Sequence, residues 1–138
     1  MNNITHIVVI ESNCSVQIFL ERELHSSEDI ECFFYKTLAE ALSNSATANA
    51  QVVIVQWMFA PMQMSVVIKQ CRLHYTNAYI IASFDFYQPD WVYQALCAGA
   101  AGLLLRPYTL QDVMLNYKSN SITLTQQPLL YHLQKLHY

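Results

Sequence analysis

The sequence predicts an α/β domain built on a doubly wound parallel sheet, and three observations carry that expectation. Five short apolar runs, most of them rich in β-branched residues, recur along the chain. Each is followed by a segment whose apolar residues recur at three- and four-residue spacing, as on one face of a helix. Each run also stops at polar residues, and in such sheets ligands sit outside the carboxyl ends of the strands.

The first run, Thr5 to Ile10, suits a strand buried on both faces and ends at Glu11, Ser12 and Asn13. From Cys14 to His25, Val16, Phe19, Leu20 and Leu24 alternate with Gln17, Glu21, Arg22 and Glu23, an amphipathic helix. Ile30 to Tyr35 is a second strand. Thr37 with Glu40 three residues later is a capping-box signature for a helix reaching about Ala46. Val52 to Val55 is the most apolar run, expected at the sheet centre, and it stops at Gln56 and Trp57. After Pro61, the stripe Met64, Val67, Ile68 and Cys71 predicts a helix to about Tyr75. Ala78 to Ala82 is a fourth strand ending at Ser83. Pro89 suits a first helical turn and Gly99 the position past a helix end, with Trp91, Val92, Ala95 and Leu96 between them. Gly102 to Leu105 is a fifth strand ending at Arg106 and Pro107, and Thr109 caps a last helix to about Tyr117. Five βα units imply right-handed crossovers.

The 138 residues suffice for one core, so residues 1–117 read as one domain and 118–138 as an extension. Hydrophobic residues make up 54% and charged residues 12%. That charged share is roughly half the average for a soluble domain, which favours a surface covered by a partner. No apolar run approaches the ~20 residues needed to span a bilayer. The start, Met-Asn-Asn-Ile-Thr-His, lacks the basic residues and apolar stretch of a secretory signal, so the expected location is the cytoplasm. Cys14, Cys32, Cys71 and Cys97 are then reduced, and they are expected to be buried as small hydrophobes. Cys71 and His74 stand three apart, but no second pair completes a tetrahedral zinc site. Seven basic residues and a net charge of -3 offer no footprint for nucleic acid.

The order of elements, with Val-Val-Ile-Val-Gln-Trp, Ile-Ile-Ala-Ser and Gly-Ala-Ala-Gly-Leu-Leu-Leu-Arg-Pro-Tyr, resembles the receiver domains of two-component response regulators from about residue 5 to residue 117. The resemblance implies a flavodoxin-like fold with strand order 2-1-3-4-5. In that family an acidic pair follows strand one and the phosphate-accepting Asp ends strand three. A Ser or Thr ends strand four, and a Lys precedes a proline after strand five. Position by position, the acidic pair falls on Glu11 and Ser12, the acceptor on Gln56, the hydroxyl on Ser83, the cation on Arg106 and the aromatic switch on Leu103. The loop before Pro61 is one residue longer than usual, which leaves Gln56 and Trp57 as alternative registers, neither able to accept phosphate. An amide oxygen is a far poorer nucleophile than a carboxylate. One carboxylate is also a poor magnesium site, so neither catalysis nor a bound cofactor or metal is expected. With no metal, Glu11 and Arg106 are expected to pair and hold the pocket in one state. At about 4 Å and an effective dielectric near 20 they attract by roughly 4 kcal/mol before desolvation. The competing reading is that these are merely solvated strand ends.

The expected function is therefore regulation without phosphorylation, through a homodimer or a protein partner. The expected surface is the fourth helix, fifth strand and fifth helix, carrying Trp91, Tyr93, Leu103, Tyr108 and Tyr117. Trp91 and Leu103 suit the core equally well. Two alternatives remain. A small-ligand sensor would use Ser12, Gln56, Ser83 and Arg106 as donors. The truncated receiver part of a LuxR-type transcriptional regulator would explain Leu124, Thr125, Leu129 and Leu130. After Pro128, Leu129, Leu130, Leu133 and Leu136 lie at helical spacing and read as a short amphipathic docking helix or a frayed end.

Overall fold

The computed structural model describes residues 4–24, 28–57, 61–86 and 88–119. Its strands are β1 (Thr5–Ile10), β2 (Ile30–Tyr35), β3 (Val52–Gln56), β4 (Tyr79–Phe84) and β5 (Gly102–Leu105). Its helices are α1 (Cys14–Leu24), α2 (Leu38–Ser43), α3 (Pro61–His74), α4 (Pro89–Ala98) and α5 (Leu110–Ser119). The five strands form one parallel sheet in the order β2-β1-β3-β4-β5, as the resemblance implies. The expected extension lies outside the described residues beyond Ser119, including Leu124 to Leu136.

Period-two alternation divides the sheet residues between two cores. Val8, Val53, Val55 and Ile80 pack against α2, α3 and α4 through Ala41, Ile68, Cys71 and Val92. Ile7, Val9, Ile54, Ile81 and Leu104 pack against α1 and α5 through Leu20, Leu24 and Val113. Every residue of β3 is buried, as its central place requires. Each fully buried Val or Ile there contributes about 1.5–3 kcal/mol.

Polar side chains set the element ends. Thr37 accepts from the Glu40 N–H at 3.2 Å, and the Glu40 carboxylate reaches back to the Lys36 N–H at 3.2 Å. The helix stops at Ser43 rather than Ala46 because the Asn44 side chain accepts from the Ala46 N–H at 3.1 Å and opens a short 3-10 turn, Ser45–Thr47. Gly99 ends α4 at φ 113°, and the Arg72 side chain occupies the space a Cβ would need. β4 runs two residues further than the sequence suggests, which brings Ser83 into the ladder opposite Gln56.

Candidate functional site

The alternation that builds the core facing α1 and α5 also builds the site. Two residues beyond Val9, Ile54, Ile81 and Leu104 come Glu11, Gln56, Ser83 and Arg106, which continue the same face past its apolar part. Backbone bonds hold the strand ends in register. Glu11 donates its N–H to the Tyr35 carbonyl at 2.9 Å, Trp57 to Ser83 at 2.7 Å and Arg106 to Phe84 at 2.8 Å. Ser12, by contrast, is exposed.

Glu11 is 2% exposed and both its oxygens are engaged. One receives Arg106 Nη1, and the other accepts the Asn13 N–H at 3.1 Å. The expected Glu11–Arg106 pair therefore forms. Arg106 also donates through Nε to Asp85 Oδ1 at 2.6 Å, with Nη2 at 2.5 Å from the same oxygen. The guanidinium thus lies between two carboxylates, the geometry its planar fork favours. Asp85 is the residue that sequence reasoning missed. Its signal was position, two residues past Ser83 at the carboxyl end of β4. Tyr108 lies nearby, fully buried, and its hydroxyl is pushed far above the ordinary phenol range by burial and then by the Glu11 charge, with Arg106 pulling the other way.

The second half of the site is neutral. Ser83 Oγ donates to Gln56 Oε1 at 2.7 Å, and Gln56 Nε2 donates to the Trp57 carbonyl at 3.0 Å. The Trp57 ring turns to the other core, 5.6 Å from the Phe84 ring. Gln56 rather than Trp57 is therefore the site residue. An amide holding this pair of bonds has no nucleophilic oxygen to offer. Magnesium does not fit the donor set either. It needs several hard oxygens, and the two carboxylates here, Glu11 and Asp85, both already pair with the Arg106 guanidinium. Among the described residues no three His, Cys, Asp or Glu side chains cluster as metal ligands. Cys71 is fully buried in the core, and the His74 ring packs edge-on to Tyr75 at 4.6 Å.

The structure corrects several surface expectations. Tyr108 is not a surface anchor but part of the core under α5, because the chain turns inward after Pro107. Tyr117 is partly buried against the same core, 5.8 Å from the Tyr79 ring. Leu103 is a core residue, and its carbonyl accepts from Asn116 Nδ2 at 3.0 Å. Trp91 is half-buried beside Phe86, 5.6 Å between rings, and only Tyr93 stands well exposed. Two of the four cysteines are buried, Cys32 and Cys71; Cys14 and Cys97 are exposed, on the outer faces of α1 and α4. Beside the charged cluster opens a crevice of about 340 Å³ lined by Ser15, Val16, Phe19, Leu20, Asp85, Arg106 and Pro107. Among the described residues no helix is long and apolar enough to cross a membrane.

No protein-family model and no curated protein matches the sequence. Solved structures do. A response regulator from Thermotoga maritima matches with a TM-score of 0.69 at 17% identity, over 82% of this chain and 92% of that one. A response regulator protein from Burkholderia pseudomallei with a phosphorylated aspartic acid gives 0.72 at 17%, over 84% of this chain and 68% of that one. A chemotaxis protein of Vibrio cholerae gives 0.68 at 18%, over 80% and 93%. Likeness at such identity is a likeness of architecture, and the chain has the fold of the response-regulator receiver domains.

Proposed function

We propose that the chain is an atypical cytoplasmic receiver domain that acts in regulation through protein contacts and without phosphorylation. One observation carries this reading: the pocket satisfies itself. Ser83 is bonded to Gln56, and Arg106 lies between Glu11 and Asp85. In the family pattern these positions serve a phosphoryl group and a metal; here they are bonded to one another. The strand ends of β1, β3, β4 and β5 are tied in one arrangement, which suits a fixed binding surface better than a switch. The contact is with a protein partner or a second copy. On the face of α4, β5 and α5 the exposed apolar side chains are Tyr93 and Leu96 of α4.

Incubation with acetyl phosphate and magnesium tests the reading. The expected result is an unchanged intact mass. An acid-stable, hydroxylamine-labile gain of one phosphate would overturn it.

The small-ligand reading keeps one specific support, the 340 Å³ crevice, but its chemistry changes. Gln56 and Ser83 are bonded to each other, so the crevice offers mainly Val16, Phe19, Leu20 and Pro107 to an apolar body. A metabolite screen that raised the melting temperature, with the effect lost in Phe19→Ala, would favour this alternative.

A further inference from the structure

The crevice beside the charged cluster joins an apolar lining to a charged end. Val16, Phe19 and Leu20 of α1 line it with Pro107, and Asp85 and Arg106 bring charge to it from the carboxyl ends of β4 and β5. Its volume of about 340 Å³ lies at the lower end of the ~300–1,000 Å³ usual for small-molecule sites. Leu20 is buried but Phe19 is 46% exposed, so a body entering the crevice covers an aromatic ring that otherwise faces water.

The charged end is not balanced. Arg106 donates to Asp85 through Nε and Nη2 and to Glu11 through Nη1, so each of its nitrogens already meets a carboxylate. One guanidinium is thus shared by two carboxylates, and the cluster is negative. Glu11 is buried with both oxygens bonded, so the excess reaches solvent at Asp85, whose side chain is 47% exposed. Arg106 engages only Asp85 Oδ1, and Oδ2 has no partner among the described residues. An anionic ligand would meet both carboxylates together with the guanidinium they hold. An ammonium, unlike magnesium, needs no shell of hard oxygens, and it is attracted to an aromatic ring such as that of Phe19.

We propose that the α1 crevice binds a small organic cation, a primary amine on an apolar or aromatic body, with the ammonium on Asp85 Oδ2 and the body against Phe19, Val16 and Pro107. This rests on the small-ligand reading above and supplies its head-group chemistry: the sign of the cluster selects a cation over a carboxylate or a phosphate. A zwitterionic amino acid brings its own carboxylate to the same end and binds more weakly. Protein contacts made elsewhere on the chain are untouched.

The test is titration of the full chain, followed by the amide NMR shifts of Val16, Phe19, Leu20 and Asp85, with three probes that share one aromatic body: phenethylamine, phenylalanine and hydrocinnamate. Phenethylamine is expected to give saturable shifts at these residues, phenylalanine to bind about tenfold more weakly, and hydrocinnamate to give none. Asp85→Asn keeps an acceptor for Arg106 and removes the charge, so phenethylamine should bind it about tenfold more weakly. Phe19→Ala, at an exposed position, should also weaken binding. Should Asp85→Asn misfold, phenethyl alcohol, the neutral counterpart, reads the same charge on the unaltered chain and is expected to bind about tenfold more weakly than the amine. Phenethylamine that gives no saturable shift at these residues, or hydrocinnamate that binds as well as the amine, overturns the proposal. Hydrocinnamate bound in the crevice would leave the small-ligand reading standing with another head group, whereas a metabolite screen in which no compound raised the melting temperature would remove that reading as well.

Discussion

Glu11 is where the loss of a single partner should be felt most. Its carboxylate is buried and is neutralised by one guanidinium, so Arg106→Met strands a charge in the interior. Breaking a buried pair from one side costs about 3–5 kcal/mol. Asp85 is half exposed and water takes over its solvation, so the expected loss sits near 3 kcal/mol in urea unfolding. Glu11→Gln retains an acceptor for Arg106 and should cost only about 1 kcal/mol. The double variant should lose less than the two added, because the stranded charge is gone. Strict additivity would argue against the pair as a unit. The pair itself was legible in the sequence from two strand ends; Asp85 and the Ser83–Gln56 bond were not. Those depend on where loop and amide side chains turn, which spacing does not encode. Thiols give a second test at this scale. Burial pushes the Cys71 thiol up to about 12, and burial followed by the Glu31 charge does the same for Cys32. Both stay neutral and inaccessible near neutral pH. A maleimide on the folded protein is therefore expected to label Cys14 and Cys97, reaching the other two only in denaturant. Peptide mass spectrometry reads the outcome, and fast native labelling of Cys71 would contradict its burial.

Elements are where the sequence was most transparent. β1, β2 and β5 lie at the expected residues because each is a largely apolar run that stops at a polar residue, Glu11, Lys36 and Arg106. The discrepancies cluster at ends, where local side-chain bonds compete with the ladder. Asn44 shortens α2, and pairing with β3 and β5 extends β4 through Phe84. The start of α5 shows how much one cap carries. Thr109 Oγ1 accepts from the Asp112 N–H at 3.1 Å, while the Asp112 carboxylate accepts from the Thr109 N–H at 2.9 Å. Thr109→Ala should cost about 1 kcal/mol, the usual loss of an N-cap. α5 also closes the free edge of the sheet, with Asn116 bonded to the Leu103 carbonyl and accepting the Tyr79 hydroxyl at 2.7 Å. Gly102 leaves the room this requires, since a Cβ there would meet Asn116 and the Tyr79 ring. Amide exchange at β5 should accelerate in Thr109→Ala more than at β1, and equal acceleration would mean the cap acts on the whole fold.

The frame and the chemistry are separable at the scale of the molecule, because the two cores meet at β3 while the site lies at the carboxyl ends of the strands. Fold class and strand order were legible because they follow from buried periodicity repeated along the whole chain. Which aromatic side chains are exposed was not, since Tyr93, Tyr108 and Tyr117 look alike as letters and only packing separates an exposed ring from a core one. Separability has a direct consequence. Gln56→Asp alone supplies an acceptor, yet Ser12 offers no carboxylate and Glu11 stays committed to Arg106. That variant should remain inert to acetyl phosphate and magnesium. Ser12→Asp with Gln56→Asp and Arg106→Lys provides an acidic pair, an acceptor and a shorter cation that releases the fork on Glu11 and Asp85. The triple variant should gain one hydroxylamine-labile phosphate while melting cooperatively as before. Phosphorylation of Gln56→Asp alone would mean that the Arg106 pairing is no barrier, and the self-satisfied pocket would lose its claim to define how the chain works.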